Sequence, residues 1–318
     1  MTFESVGEGI LRVNGVEVRY MVPPSLHLRK GGLKYVDVFE LLPLLEKMNN
    51  HPVTGDWDPP NLLLNGPKGI GKTLLPAYIA QEEGIPYLSM DCSEETRERH
   101  FKGGFTSKSG ETPFILGTVA NAIQVANEVG WAMLVLEELN SLSPQQQKLV
   151  NSFTDFRRKL EVPELSARFE LEPTAKLWVI ATQNPTVYGG TNELNDDLRS
   201  RFTCIDIPYP PPEAEKQILM EMTGYGKTGT AADAQQLQGL DMLVSIANQT
   251  RQGATAYALS TRDLVEVIGM LPRVGWFDAM FLLCQKFGEE DRKLVVERIQ
   301  DITKSETHPD LILRVGLR

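Results

Sequence analysis

Eight consecutive residues, Gly66-Pro67-Lys68-Gly69-Ile70-Gly71-Lys72-Thr73, satisfy the pattern G-x-x-x-x-G-K-[ST] with no residue forced. The apolar run Leu62-Leu63-Leu64 precedes them and reads as a buried strand; Leu74–Gln81 follows and reads as a helix. In that strand–loop–helix context the glycines let successive backbone N–H groups curl around a polyphosphate, with the helix N-terminus adding partial positive charge. Lys72 would reach the β- and γ-phosphates, and the Thr73 hydroxyl would bind Mg²⁺. Gly66 through Thr73, with Leu74, are therefore the candidate contacts for a nucleoside triphosphate, ATP with Mg²⁺. The competing account is a glycine-rich turn that fits by chance. Pro76 sits a turn into the helix, where it removes a donor and is expected to kink the axis.

Further along, Met133-Leu134-Val135-Leu136-Glu137-Glu138 is an apolar strand ending in two carboxylates. After a phosphate loop, the first acid would hold the Mg²⁺ shell and the second would polarise the attacking water. Glu138 is thus the candidate general base. Glu137 stands where the shorter Asp is usual, so it is expected to reach the metal through a water or from a shifted strand. Alternatively, the two are solvated acids at a strand end.

Leu177–Ala181 runs into Thr182-Gln183-Asn184-Pro185, where Asn184 can orient the lytic water or contact the γ-phosphate; Asn-Pro also starts ordinary turns. Asp196-Asp197-Leu198-Arg199-Ser200-Arg201-Phe202 offers two guanidiniums, Arg199 and Arg201, either able to stabilise phosphoryl charge from a neighbouring subunit or to pair with the adjacent acids. Arg262 in Ser260-Thr261-Arg262-Asp263 opens a helix and can reach back to the nucleotide, or pair with Asp263 or Glu266.

These side chains need a scaffold. The chain has 318 residues, which favours one large and one small domain. Ile10–Val13 and Val16–Tyr20 alternate around Asn14-Gly15, the strongest short hairpin signal, and Pro23-Pro24 ends them. Val36–Asn49 reads as an amphipathic helix interrupted at Pro43, and His51-Pro52 through Pro59-Pro60 as a linker. Strands are expected at Pro86–Asp91, Trp131–Leu136, Leu177–Ala181 and Cys204–Ile207, with helices at Pro113–Val129 and Pro144–Phe156; this alternation predicts a parallel sheet covered on both faces. Past Pro208-Tyr209-Pro210-Pro211-Pro212, a candidate hinge, only helices are expected: Glu213–Met222, Ala234–Gln249, Thr261–Leu271, Trp276–Phe287 and Asp291–Ile302.

No apolar stretch reaches the roughly 18 residues a membrane helix needs, and the first residues show no secretory signal. Cys92, Cys204 and Cys284 lack disulfide or zinc spacing, and the four histidines are scattered. Reduced thiols in the cytoplasm are expected. A net charge of −10 argues against a general affinity for nucleic acid, without excluding a basic pore in an oligomer.

The order of phosphate loop, acid pair, Asn-Pro strand end, Arg-Phe and helix-capping arginine resembles the AAA+ ATPases, and specifically the MoxR branch. Ile180–Pro185 is similar to that branch's sensor 1, Arg201 to its arginine finger with Arg199 as second candidate, and Arg262 to sensor 2. Gly103–Glu111 and Arg157–Thr174 fall where the branch carries its helix-2 insert and pre-sensor-1 hairpin. Asp155-Phe156-Arg157-Arg158 and Ser260-Thr261-Arg262 look most like the CbbQ/NorQ/GvpN group.

The resemblance implies an α/β P-loop AAA+ core with a parallel sheet flanked by helices, plus a C-terminal all-α lid. The expected divisions are 1–57 (hairpin, helix and linker), 58–208 (nucleotide-binding) and 209–318 (lid). It further implies a homo-oligomeric ring, usually a hexamer, that hydrolyses Mg-ATP and remodels a protein client with a von Willebrand A-domain partner. Gly103-Gly104-Phe105, with Lys102 and Lys108, is the candidate client-facing loop, or else a plain surface hairpin. Two other classes stay open: an McrB-like motor linked to nucleic acid, and an assembly switch in which Glu137 has weakened hydrolysis.

Overall fold

The computed structural model describes residues 7–22, 32–49, 59–107, 112–185, 192–226 and 231–305. The chain divides into two compact units: Met1–Tyr35, Glu40–Gly66 and Lys72–Ile207 form one, and Val36–Phe39, Pro67–Gly71 and Pro208–Arg318 the other.

In chain order the first unit carries β1 (Gly7–Val13), β2 (Val16–Val22), α1 (Leu41–Asn49), β3 (Leu62–Asn65), α2 (Leu74–Glu83), β4 (Tyr87–Asp91), α3 (Glu98–Lys102), β5 (Gly103–Phe105) and β6 (Phe114–Leu116). It continues with α4 (Thr118–Val129), β7 (Trp131–Glu137), α5 (Pro144–Thr154), β8 (Lys159–Val162), β9 (Ala167–Glu170), β10 (Lys176–Gln183), α6 (Asp196–Arg199) and β11 (Thr203–Asp206).

Five of these strands form one sheet in the order β11-β3-β10-β7-β4, with every pairing parallel. Parallel strands buried on both faces should be apolar throughout, and Leu62–Leu64, Ala132–Leu136 and Leu177–Ala181 are all buried. The order matters for chemistry. It sets β10 between the strand that feeds the phosphate loop and the strand that ends in Glu137, so all three C-terminal ends emerge side by side. Ligands of open α/β sheets bind outside these strand ends.

The hairpin β1–β2 turns at Asn14 and Gly15, both left-handed (φ 49° and 83°), as a two-residue turn of this type requires. It joins a second sheet, β1-β2-β6-β5, and its Val18 and Tyr20 belong to the core around the main sheet. The β8–β9 hairpin falls where a hairpin was expected, within 157–174.

Three expectations change. The helix expected from Val36 begins only at Leu41, because Glu40 turns left-handed (φ 53°); Pro43 then lies in the first turn, where its missing N–H has no acceptor to lose. Pro76, third residue of α2, is spared for the same reason, so no helix bond is lost. Pro113–Val129 is not one helix: Phe114–Leu116 pair as β6, and Gly117 caps α4. A Cβ on Gly117 would lie 2.6 Å from the Phe101 carbonyl carbon, so the chain turns there in close packing. Residues 23–24, 51–58 and 108–111, which hold the end of the hairpin, most of the linker and Lys108, lie outside the described residues.

The second unit holds α7 (Pro212–Thr223), α8 (Ala231–Gln249), α9 (Thr261–Cys284) and α10 (Glu289–Ser305) around their own core. The two helices expected within 261–287 are both present in α9, separated at Gly275, whose backbone is non-helical (φ 73°, ψ 172°). An ion pair with the buried Glu215 ties α7 to the turn after α8: Arg251 Nη1 and Nη2 lie 2.7 and 2.8 Å from the two Glu215 oxygens. Thr261 Oγ1 donates to the same carboxylate at 2.6 Å, which fixes the start of α9. Among the described residues, no helix is long and apolar enough to cross a membrane.

Candidate nucleotide site

Gly69 and Gly71 have φ of 74° and 97°, a region that L side chains rarely adopt, so the loop curls as a phosphate cradle must. Lys72 is buried; its Nζ donates to the Gly66 carbonyl at 2.7 Å and to Asn184 Oδ1 at 3.0 Å. Thr73 occupies the position before α2 where a hydroxyl usually caps the helix, yet it makes no such bond. Its Oγ1 donates instead to Glu137 Oε2 at 3.0 Å.

That contact tests the fit of Mg²⁺. An octahedral shell with ligands at 2.0–2.1 Å separates adjacent ligand oxygens by about 3 Å. Thr73 and Glu137 therefore already stand at a separation two neighbouring ligands would keep, and the longer arm of Glu137 spans the gap directly.

Glu138 follows β7 in a left-handed conformation (φ 53°, ψ 47°), a costly state for a residue with a Cβ. Its backbone N–H donates to Thr182 Oγ1 at 3.1 Å, and its Oε1 accepts from Asn184 Nδ2 at 3.0 Å. Asn184 thus uses both ends of one amide, the oxygen on Lys72 and the nitrogen on Glu138. Five of the sequence-predicted residues, Lys72, Thr73, Glu137, Glu138 and Asn184, meet at the C-terminal ends of the central strands β3, β10 and β7.

Arg201 and Arg199 are not among them. Thr203 pairs with Leu62 in register, which puts Arg201 level with Pro60 at the opposite end of the sheet. Gly66 lies six strand steps further on, about 20 Å at roughly 3.3 Å per residue, farther than an arginine extends. Arg201 faces Asp155 and Asp197 at 3.8 and 3.4 Å, while the exposed Arg199 side chain has no partner among the described residues. Arg262 belongs to the same compact unit as Pro67–Gly71, and its backbone N–H donates to the Gly69 carbonyl at 3.2 Å. Asp263 and Glu266, its alternative partners, are both taken by Lys286 at 2.5 and 2.6 Å.

Cys92, near the acid pair, is a buried free thiol. Burial, then the charges of Asp91, Glu137 and Glu138, push Cys92 up to about 12. The candidate client-facing loop also changes character: Lys102 is buried and paired with Glu98, and Gly103–Phe105 pair with β6.

Sequence reasoning missed Asn140, Thr182 and Gln183. Asn140 Nδ2 donates to the Asn184 carbonyl at 2.9 Å, and the Gln183 carbonyl accepts from the Gly66 N–H at 3.4 Å. Asn140 carries no one-dimensional signal, since its partner lies forty-four residues away.

A parallel sheet with a phosphate loop, a strand-end acid pair and an amide between them defines a P-loop nucleotide-binding protein. Residues 61–202 match the AAA domain of the dynein-related subfamily. Among curated relatives, the chain is 30% identical over 167 residues to the uncharacterised protein YojN of Bacillus subtilis, covering 51% of this chain and 52% of YojN. It is 25% identical over 243 residues to Protein NorQ of Paracoccus denitrificans, covering 72% of this chain and 87% of NorQ. With Protein CbbQ of Hydrogenophilus thermoluteolus it is 24% identical over 163 residues, covering 51% and 58%. The chain thus spans only about half the length of YojN and of CbbQ. Residues 61–202 are an AAA domain, and the likeness to NorQ and CbbQ supports the MoxR-like branch of AAA+ proteins.

Proposed function

We propose that this chain is an Mg-ATP-dependent ATPase whose site is completed by a neighbouring copy in a ring, a hexamer by family resemblance. Backbone N–H groups of Lys68–Gly71 and the Lys72 ammonium bind the polyphosphate. Thr73 and Glu137 would hold the Mg²⁺, which when bound neutralises phosphate charge. Glu138 accepts a proton from the attacking water, and the Asn184 amide fixes the carboxylate and offers its oxygen to Lys72. Arg262 would approach the phosphates from the helical unit.

The observation that carries the reading is the position of Arg201. A guanidinium at the far end of the sheet cannot serve its own phosphate loop, but it can serve another copy's. The direct reach of Glu137 to Thr73 supports a competent metal site over a switch with weak hydrolysis. Hydrolysis would then move the helical unit and remodel a protein client; a von Willebrand A-domain partner follows from the likeness to NorQ and CbbQ.

Turnover per subunit, measured against protein concentration, is expected to rise through the assembly range. Arg201→Ala is expected to lower it about a thousandfold while nucleotide still binds. Full hydrolysis by a strictly monomeric protein would sink the proposal.

A further inference from the structure

Arg201 sits in a frame that nothing in the nucleotide site explains. Asp155, directly after α5, has a side chain only 7% exposed. Its Oδ1 accepts the Arg157 backbone N–H at 2.9 Å, and its Oδ2 accepts Arg157 Nε, also at 2.9 Å, and Nη2. Arg201 Nη1 lies 3.8 Å from that same Oδ2. Asp197, on the other side of the guanidinium at 3.4 Å, is 65% exposed and so a weaker anchor. Behind both residues, Asn61 Nδ2 donates to the carbonyls of Thr154 (2.7 Å) and Arg201 (2.9 Å), so one buried amide ties the two backbones together. Arg158 holds the oxygen of that amide.

We propose that Asp155 is the positioning residue for Arg201, holding its guanidinium in the orientation in which a neighbouring copy's phosphate would meet it. The proposal rests on the reading that Arg201 acts across the subunit boundary. A long, partly exposed arginine samples many rotamers, and catalysis by a charge supplied from outside depends on that charge being oriented beforehand. A fixed, buried carboxylate on a frame shared with the arginine's own backbone supplies this. It also keeps its charge: burial pushes the Asp155 carboxyl up, but the Arg157 hydrogen bonds and the Arg157 and Arg201 charges outweigh that and hold it below the ordinary range.

The test measures kcat, KM for ATP and oligomeric state of the full chain carrying Asp155→Asn, Asp155→Ala, Arg201→Ala, or Asp155→Ala with Arg201→Ala. Asp155→Asn keeps an oxygen for the Arg157 N–H and removes only the charge, which guards against a folding defect. Both single Asp155 variants are expected to lower kcat about tenfold or more with KM and assembly unchanged. In the Arg201→Ala background, where a residual rate is read by labelled phosphate release, Asp155→Ala is expected to change nothing further. An unchanged or raised kcat in Asp155→Asn overturns the proposal, as does an equal further loss in the Arg201→Ala background, which would mark a purely structural role. If Arg201→Ala itself leaves turnover intact, the cross-boundary reading fails first. If Arg201→Ala abolishes turnover and Asp155→Asn does not lower it, only the positioning role fails.

Discussion

The Asn184 side-chain nitrogen donates to the Glu138 carboxylate at 3.0 Å while its oxygen accepts from Lys72 at the same distance. One amide therefore joins the candidate base to the phosphate-binding ammonium. Glu138→Gln should keep nucleotide affinity within a few-fold and lower turnover by about 10²–10⁴, the range that a positioned proton acceptor supplies. Equilibrium binding of labelled ATP alongside phosphate release checks both halves; turnover above a tenth of wild type would remove Glu138 from the role.

Glu137 is the departure from the usual acid. Because its Oε2 already meets Thr73 at 3.0 Å, the extra methylene is accommodated. Shortening the arm by Glu137→Asp opens that gap, so the Mg²⁺ concentration for half-maximal turnover is expected to rise several-fold. A titration of turnover against Mg²⁺ decides it. A large gain in turnover would instead mean that glutamate slows the enzyme.

Much of this was readable from residues alone. The central strands β3, β7 and β10 and the helices of the second unit follow from apolar runs and periodicity, because burial on both faces or on one stripe leaves that mark. Asn184 was legible as a strand-end amide. Its pairing with Asn140 was not, since nothing local signals a bond across forty-four residues. Pro113–Val129 misled because Gly117 breaks the helix through tertiary packing on Phe101, and Val36–Phe39 because Glu40 takes a left-handed conformation just before α1. Lys102 looked like a surface charge until its pairing with Glu98 and its burial were seen.

The start of α9 also carries a pH dependence. Burial pushes the Asp263 carboxyl up, but hydrogen bonds from Lys286 and Ser260 outweigh it and hold the group below its ordinary value. A carboxylate lowered by folding contributes stability above its unfolded pKa of about 3.9 and loses it as pH falls through the folded value. Thermal melts from pH 6 downward should therefore show a loss of stability that is blunted in Asp263→Asn. An identical acid limb in that variant would exclude Asp263 as a source.

The most direct measurement mixes two inactive variants. Arg201→Ala subunits keep an intact phosphate loop and acid pair, and Glu138→Gln subunits keep an intact Arg201. If Arg201 completes a neighbour's site, the mixture recovers turnover that rises with protein concentration and peaks near equal proportions. If the mixture co-assembles and remains inactive, the site is not shared between copies and the account is contradicted.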